Sequence, residues 1–223
     1  VKKQIEFAVK EAHQYLIVAE KLISEQHQLP LFSVLSRGCV EKGLDVTAGG
    51  AYCNVGPTIQ SLGFADCVNS LAAIKKVVFE DKTATMDAVC SALAANFTGH
   101  ETLRARLKQA PKYGNDDDYV DNIAADIWQY FAEVVRSLKN YRGCYADPAI
   151  QMVQANVGFG TMTGALPNGR LAGEPVADTM SAEHQTDVNG PTAAARTYGK
   201  LNYPSYTNGT LLNMWISRSE LIN

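Results

Sequence analysis

Basic clusters and long apolar runs are both absent from this sequence. Its 20 Lys and Arg face 23 Asp and Glu, which gives a formal net charge of −3, and consecutive basic residues occur only in pairs such as Lys75-Lys76. This distribution leaves no electrostatic footprint for nucleic acid or for an anionic membrane surface. No apolar run reaches the length that a transmembrane helix needs, and no signal-peptide core is present. We therefore expect neither a nucleic-acid nor a membrane partner, and a small neutral or anionic organic ligand.

Cysteine is sparse and lacks the spacing of metal ligands. The five cysteines are odd in number and widely separated, with no C-x-x-C pair and no Cys/His cluster: Cys39, Cys53, Cys67, Cys90 and Cys144. This pattern argues against a zinc site and against a disulfide framework. We expect a reducing compartment and a cytoplasmic protein.

Ligand-binding loops of the common kinds are also missing. The Asp run 116–118 lacks the glycine and the terminal glutamate of a calcium loop, so it is interpreted as the acidic start of a helix, where the helix dipole is positive. Gly158, Gly160 and Gly164 do not have the G-x-G-x-x-G spacing, and no G-x-x-x-x-G-K-[S/T] sequence occurs. The sequence therefore gives little support to nucleotide binding or to a protein-held metal.

What the sequence has is the composition of a globular protein of about one domain. Its 223 residues are 46% hydrophobic and 19% charged, which supplies a sizeable core. Apolar residues at three- and four-residue steps predict an amphipathic helix from residue 1 to about 28, with no capping residue before it. Pro30 ends this helix, residues 31–35 are predicted as a turn, and the glycine-rich segment 38–63 as a shaped loop. Further helices are predicted over 65–79, 87–97 (capped by Thr85), 101–107 and about 119–140.

The helical periodicity of the sequence is lost after Pro148. Alternating and β-branched residues over 150–160 predict a buried strand followed by a bend, and 209–216 is predicted as a late strand. Residues 167–169 and 190–191 are turn signals. The expected chain is thus helical for its first two thirds and then formed of strands.

Cys39 and Glu41 are the first candidates for a catalytic pair, because a cysteine that could act as nucleophile or radical is two residues from a carboxylate that could act as acid or base. The spacing alone is a weak signal, since an isolated cysteine is most often a small buried hydrophobe. The four histidines are scattered along the chain, so a Ser-His-Asp or Cys-His hydrolase would have to be assembled by the fold.

Two glycine-bracketed apolar segments, 49–64 and 150–164, are better candidates for a buried site. Each places a few polar side chains among hydrophobic ones, which is typical of ligand cavities. The alternative is that both are core strands with hydrogen-bonded amides. The candidate residues are Tyr52, Cys53, Asn54, Val55, Ile59, Leu62, Gln151 and Val153.

Five motifs in a fixed order resemble the glycyl radical enzymes of the pyruvate formate-lyase-like family. They are SLAAIKKVVFEDK (70–82), APKYGNDDDYVD (110–121), LPNGRLAGEPVAD (166–178), DVNGPTA (187–193) and NGTLLNM (208–214). The resemblance covers essentially all of residues 1–223. It is nearest to the branch of diol and choline lyases, dehydratases, arylacetate decarboxylases and fumarate-adding synthases.

The resemblance implies an α/β fold, namely part of a ten-stranded barrel surrounded by helices, at whose centre a cysteine loop and a glycine loop meet. It implies no cofactor within this chain. An activating enzyme with S-adenosylmethionine and an iron–sulfur cluster would install the glycyl radical, which passes to a cysteine whose thiyl abstracts hydrogen from the substrate. A homodimer and anaerobic metabolism are further family expectations.

Two departures from the family pattern bear on catalysis. The Arg-Val-x-Gly-[Tyr/Phe] stretch that carries the radical glycine does not occur in this sequence. Gly38-Cys39-Val40-Glu41 imitates the thiyl-cysteine motif, yet it lies where relatives carry a Cys-[Ile/Leu]-[Glu/Asp]-[Lys/Arg]-Gly turn. Cys39 and Glu41 are therefore disfavoured as the catalytic pair, and no catalytic residue is assigned. Residues 1–223 are interpreted as a partial domain without either loop, inactive alone.

The resemblance places residues 52–62 and 150–156 against the substrate. Their apolar character predicts radical cleavage or formation of a C–C, C–O or C–N bond in a small organic substrate with an apolar part. The expected partners are that substrate, the activating enzyme, the remainder of the enzyme chain and a second copy. Three alternatives stay open: a polyol dehydratase or choline-type lyase, an inactive structural or interaction fragment of a split gene, and a small-molecule binding module.

Overall fold

The computed structural model describes residues 1–214 and 216. The chain divides into two compact units. Unit 1 contains Val1–Ile59, Gln129–Ala149 and Pro204–Asn208, and unit 2 contains Gln60–Trp128, Ile150–Tyr203 and the residues from Gly209 onward. None of the described helices combines the length and the apolar character needed to span a bilayer.

Unit 1 is organised around a long amphipathic helix, α1 (Lys2–Gln26), which confirms the first predicted helix. Val9 and His13 lie on its buried face. Two short helices follow, α2 (Pro30–Leu35) and α3 (Cys39–Lys42). The prediction of a turn over 31–35 was wrong, because Pro30 occupies the first helical turn, where its missing N–H costs nothing.

The predicted loop 38–63 contains more regular structure than its glycines suggested. Besides α3 it holds a 3₁₀ turn (Val46–Ala48) and strand β1 (Thr58–Gln60), which pairs with β2 (Asp147–Ala149). Elsewhere in unit 1, the rings of Phe131 and Tyr206 stack with their centroids 6.2 Å apart.

Unit 2 begins with α4 (Phe64–Ile74), which continues as a π-helical turn, Lys75–Glu80. Next come α5 (Met86–Ala94) and α6 (Glu101–Gln109). The Thr85 hydroxyl accepts a hydrogen bond from the Ala88 amide (3.2 Å), which confirms the predicted cap. Helix α7 (Asp118–Arg136) supplies residues 118–128 to unit 2 and its remainder to unit 1.

The core of unit 2 combines small aliphatic side chains with a row of aromatic rings. Ala73, Val77, Ala92, Phe97, Leu107 and Ala110 form one buried cluster. Phe64 makes edge-on contacts with Tyr113 (centroids 5.6 Å apart) and with Trp128 (5.4 Å), and Trp128 in turn contacts Tyr203 (5.7 Å). Such edge-to-face pairs contribute beyond the apolar area that they bury.

The acidic run at the start of α7 is neutralised from α9 (Pro191–Gly199). The Lys200 ammonium, just beyond the end of α9, lies 2.7–2.9 Å from carboxylate oxygens of Asp116, Asp118 and Asp121. Burial opposes the charge on this ammonium, but the three hydrogen-bonded carboxylates raise the pKa of Lys200 above its ordinary value. The run therefore acts as a helix start with its own counter-ion.

The prediction that strands form the last third of the chain was wrong for the described residues. Residues 155–160, predicted as part of a strand and bend, lie in helix α8 (Ala155–Met162), and α9 follows the Gly190-Pro191 turn signal. Within 209–214, pairing is limited to a bridge between Ile150 and Thr210, and Trp215 of the predicted late strand lies outside the described residues. The ten-stranded barrel stays a prediction.

Candidate functional site

A loop of unit 1, residues 47–57, carries the first group of predicted site residues. Asp45 lies two residues before this loop, and its carboxylate accepts hydrogen bonds from the Thr47 amide (2.9 Å), the Thr47 hydroxyl (2.6 Å) and the Ser33 hydroxyl (2.7 Å). These bonds, that of the Thr47 hydroxyl first, lower the pKa of Asp45 to about 2. Loop 47–57 therefore starts from a fixed carboxylate anchor.

Loop 47–57 presents most of its candidate side chains to the surface of unit 1. Tyr52 and Val55 are 73% and 64% exposed, and the Cys53 thiol is exposed. The Asn54 amide donates to the carbonyls of Gly49 (3.0 Å) and Ala51 (2.8 Å), so it stabilises the loop from within. The Arg37 guanidinium lies 4.7 Å from the centroid of the Tyr52 ring. Ile59 differs from these residues because it is buried in β1.

Cys39 and Glu41 have structural contacts within unit 1. Cys39 is buried at the start of α3, and the Glu41 carboxylate accepts a hydrogen bond from the Gly38 amide at 2.9 Å, as a helix-capping glutamate does. Gly38 has φ = 98°, and an added Cβ there would lie 2.7 Å from the Tyr52 amide nitrogen. The α3 turn is thus packed closely against loop 47–57, and the view that Cys39 and Glu41 are not catalytic stays a prediction.

The second group of predicted site residues lies in unit 2. Leu62 is half-buried, Gln151 is exposed and Val153 is 43% exposed. The backbone of Ile150 is paired with the segment near Gly209, through Ile150 N–H to the Gly209 carbonyl (3.3 Å) and Leu211 N–H to the Ile150 carbonyl (2.9 Å). Residues 151–153 follow directly from this pairing.

A polar cleft of about 990 Å³ in unit 2 was missed by the sequence analysis. The Asn168 amide bridges two carboxylates there: it donates to Asp66 Oδ1 at 3.1 Å and to Glu183 Oε1. The second oxygen of Asp66 accepts from the Ala177 amide at 2.6 Å. Lys112 and Asn156 also line this cleft.

Burial sets the protonation of this carboxylate pair. Desolvation, and then the neighbouring Asp66, raise the pKa of Glu183 to about 7, and desolvation also raises the pKa of Asp66. The same desolvation lowers the pKa of Lys112. Glu183 is therefore a group that exchanges a proton near neutral pH.

Replacing Glu183 with Gln should change how stability depends on pH. Because the carboxyl pKa is raised in the folded state, the stabilisation from the bound proton is complete below about pH 4.5 and is lost as pH rises through 7. We expect the melting temperature of the wild-type protein to fall relative to that of Glu183→Gln between pH 5 and 8. Scanning calorimetry at fixed ionic strength measures the difference, with the exposed Glu25→Gln as control. Parallel curves for the wild type and Glu183→Gln would contradict the assignment.

The residues of this cleft are far apart in sequence, which explains why they were missed. Asn168 is the centre of the predicted turn 167–169, but its bonds reach residues 102 positions before it and 15 after it. Among the described residues, no group of three or more His, Cys, Asp and Glu side chains is placed to hold a metal ion.

The family model described as "Pyruvate formate lyase-like" matches residues 1–160. The chain belongs to this family. This match confirms the prediction, made from the five ordered motifs, that the chain is a member of the glycyl radical enzymes. Two of the motifs, 70–82 and 110–121, lie inside the matched range.

Named relatives of this glycyl radical enzyme chain include dehydratases and a decarboxylase. It is 37% identical to trans-4-hydroxy-L-proline dehydratase of Clostridioides difficile over 215 residues, which are 95% of this chain and 27% of the relative. It is 34% identical to (2S)-3-sulfopropanediol dehydratase of Klebsiella oxytoca, over 96% of this chain and 26% of the relative. Indoleacetate decarboxylase of Tractidigestivibacter scatoligenes is 32% identical over 84% of this chain and 24% of the relative.

Solved structures of the family superpose on nearly the whole chain. The glycerol-bound B12-independent glycerol dehydratase from Clostridium butyricum matches with a TM-score of 0.91 at 36% identity, over 95% of this chain and 27% of that one. A glycyl radical enzyme from Archaeoglobus fulgidus matches with a TM-score of 0.89 at 36% identity, over 94% and 27%. The chain thus spans about a quarter of the length of these relatives.

Proposed function

We propose that the polypeptide containing this sequence is an anaerobic glycyl radical enzyme that cleaves or forms a C–C, C–O or C–N bond in a small organic substrate. The observation that carries this proposal is the superposition of 95% of the chain on glycerol dehydratase with a TM-score of 0.91 at 36% identity. Residues 1–223 would be part of the ten-stranded barrel. The radical would come from an activating enzyme that uses S-adenosylmethionine and an iron–sulfur cluster, and the enzyme would be a cytoplasmic homodimer.

The part of this chain in the reaction is to form cavity wall. A thiyl radical is quenched by stray hydrogen donors and by oxygen, so the protein around it must orient the substrate and exclude other molecules. In unit 1 the candidate wall is formed by Tyr52, Cys53, Asn54 and Val55, and Ile59 supports it from the core. In unit 2 the candidates are Leu62, Gln151 and Val153.

We favour a substrate with an apolar part. The exposed Tyr52 ring and the exposed Val55 side chain give loop 47–57 an apolar surface, and Val153 does the same in unit 2. Apolar surfaces of this kind bind hydrocarbon parts of a ligand by removing both from water.

A polyol dehydratase or choline-type lyase is the second candidate. Two observations favour it: the relatives named above include dehydratases of hydroxyproline, sulfopropanediol and glycerol, and the cleft of unit 2 is rich in carboxylates and amides. Polyol sites need such groups because an unpaired buried hydroxyl costs about 1–3 kcal/mol.

The test begins with the polypeptide in its natural length, prepared without oxygen together with its activating enzyme. We expect an intact mass several times 24.2 kDa and a glycyl radical signal in electron paramagnetic resonance after activation. Turnover of an arylacetate would support a substrate with an apolar part. Turnover of a diol or of choline would support the second candidate, a polyol dehydratase or choline-type lyase. A polypeptide of 24.2 kDa that gives no radical signal would overturn the enzymatic proposal and favour the inactive fragment.

A further inference from the structure

Arg142 occupies the tip of a tight turn in unit 1, outside every motif that identified the family. The turn is closed by an antiparallel bridge between Lys139 and Tyr145. Inside it, the Asn140 side-chain oxygen accepts hydrogen bonds from the amides of Arg142 and Cys144, both at 3.0 Å. The backbone under Arg142 is therefore fixed, and its side chain projects from a rigid base.

The Arg142 guanidinium joins the two ends of loop 47–57. Nη1 donates to the Thr47 carbonyl at 2.8 Å, and Nη2 donates to the Val55 carbonyl at 3.3 Å. The aliphatic part of the side chain also lies against the loop, since an added Cβ on Gly49 would be 3.3 Å from Arg142 Cδ. One side chain thus holds both ends of the segment that presents residues 52–54.

An ion pair to α1 completes the environment of Arg142. Its Nη2 lies 3.5 Å from Glu20 Oε1, and both side chains are largely buried. At that distance the carboxylate supplies charge more than a well-formed hydrogen bond. The two carbonyl bonds therefore carry the positioning, and they need the planar fork of a guanidinium, which a lysine ammonium does not provide.

The backbone of loop 47–57 also lies against the Arg142 turn. An added Cβ on Gly56 would lie 2.0 Å from the Tyr145 carbonyl oxygen, so the two backbones touch there. The Asp147 amide donates to the Pro57 carbonyl at 3.0 Å. These backbone contacts hold the C-terminal end of the loop. In its middle, the Tyr52 amide donates to the Arg37 carbonyl at 2.7 Å and the Lys42 ammonium donates to the Ala51 carbonyl at 2.8 Å. Arg142 adds to these bonds the link between Thr47 and Val55.

We propose that Arg142 is a positioning residue that sets the conformation of loop 47–57 and, through it, the substrate-facing pose of Tyr52, Cys53 and Val55. The inference rests on the proposed function, because it assigns these side chains to the substrate. Arg142 acts through the loop backbone and does not touch substrate.

The experiment compares Arg142→Met and Arg142→Lys with the exposed Arg136→Met control, each in the polypeptide of natural length. Hydrogen exchange measures the loop directly: peptides covering 47–57 should exchange about tenfold faster in Arg142→Met, because the open loop becomes more populated, while α4 peptides keep their rates. In the activated enzyme, the KM for its substrate should rise about tenfold or more with an unchanged glycyl radical yield, because misplaced contacts weaken binding. Arg142→Lys should give intermediate values in both assays.

The possible results distinguish failure of the Arg142 inference from failure of the proposed function. Unchanged exchange in loop 47–57 in both Arg142 variants overturns the inference. Faster exchange with an unchanged KM also overturns it, because the loop would then not face substrate. If Arg142→Met fails to fold, the two readouts on Arg142→Lys decide. If the wild type forms no radical, the proposed function fails, and hydrogen exchange alone still decides whether Arg142 sets the loop.

Discussion

Replacing Trp128 with alanine is expected to destabilise unit 2 by about 3–5 kcal/mol, the usual cost of deleting a large buried aromatic side chain. Trp128 is fully buried, and its ring contacts those of Phe64 and Tyr203. Its indole N–H donates to the Asn202 carbonyl at 3.0 Å. Alanine would leave a cavity between α4 and α7 and remove this hydrogen bond.

Two further variants separate the contributions at Trp128. Trp128→Phe keeps much of the ring packing and loses the N–H donor, so we expect it to cost about 1–2 kcal/mol. Phe79→Ala removes an aromatic side chain that is 64% exposed and should change stability by less than about 0.5 kcal/mol. The readout is the urea dependence of thiol labelling at the half-buried Cys67 of α4, followed by mass spectrometry. Equal midpoints for Trp128→Ala and Phe79→Ala would refute the packing argument.

Replacing Arg170 with methionine is expected to destabilise unit 2 by at least about 3 kcal/mol, because several carbonyls lose a charged donor at once. Arg170 is buried, and its guanidinium donates to the carbonyls of Gly160 (2.8 Å), Gly164 (2.8 Å) and Pro175 (3.3 Å), and to that of Glu174. These carbonyls belong to the end of α8 and to the loops around it.

The shape of the guanidinium is decisive at this position. Lysine has one compact ammonium and does not span carbonyls on several sides, so Arg170→Lys should still cost about 2 kcal/mol. Arg106→Met is the matched control, because the exposed Arg106 donates to the Thr83 carbonyl (3.2 Å); it should cost less than about 0.5 kcal/mol. Cys67 labelling in urea again measures the change. A cost of Arg170→Lys as small as that of the control would show that charge alone suffices.

Elements with local signals were predicted well. The period of α1, the Thr85 cap of α5 and the turn at 167–169 depend on residues close in sequence, and the structure has all three. Short apolar segments were not distinguished, because strand and buried-helix patterns look alike over a few residues.

Helix α8 shows why the strand prediction failed. It contains two glycines, which are poor helix formers, and its stability comes from packing that the local sequence does not encode. An added Cβ on Gly160 would lie 2.4 Å from the Glu174 carbonyl oxygen, and the Arg170 guanidinium bonds the Gly160 carbonyl. Both partners come from a segment ten or more residues later.

The candidate site was likewise predictable only in part. The glycine-bracketed segment around Tyr52 stood out through its composition, and the family motifs gave its context. Arg142 and the carboxylate pair of Asp66 and Glu183 gave no such signal. The partners of Arg142 Nη2 lie 87 and 122 positions away in the sequence. Asp66 and Glu183 are joined through the Asn168 amide, which is also distant in sequence from Asp66. Contacts of that range are set by tertiary packing, which periodicity and turn rules do not contain.

The distribution of thiols gives each unit one natural attachment point for a spectroscopic probe. Cys53 in unit 1 and Cys90 in unit 2 are exposed, whereas Cys39 is buried and Cys67 and Cys144 are half-buried. Among the five cysteines of residues 1–223, a mild maleimide reaction should therefore modify Cys53 and Cys90 first. Nitroxide labels at these two positions would report the distance between the units by pulsed dipolar spectroscopy, and because Cys53 belongs to the candidate cavity wall, the Cys53 label alone would also be expected to block substrate.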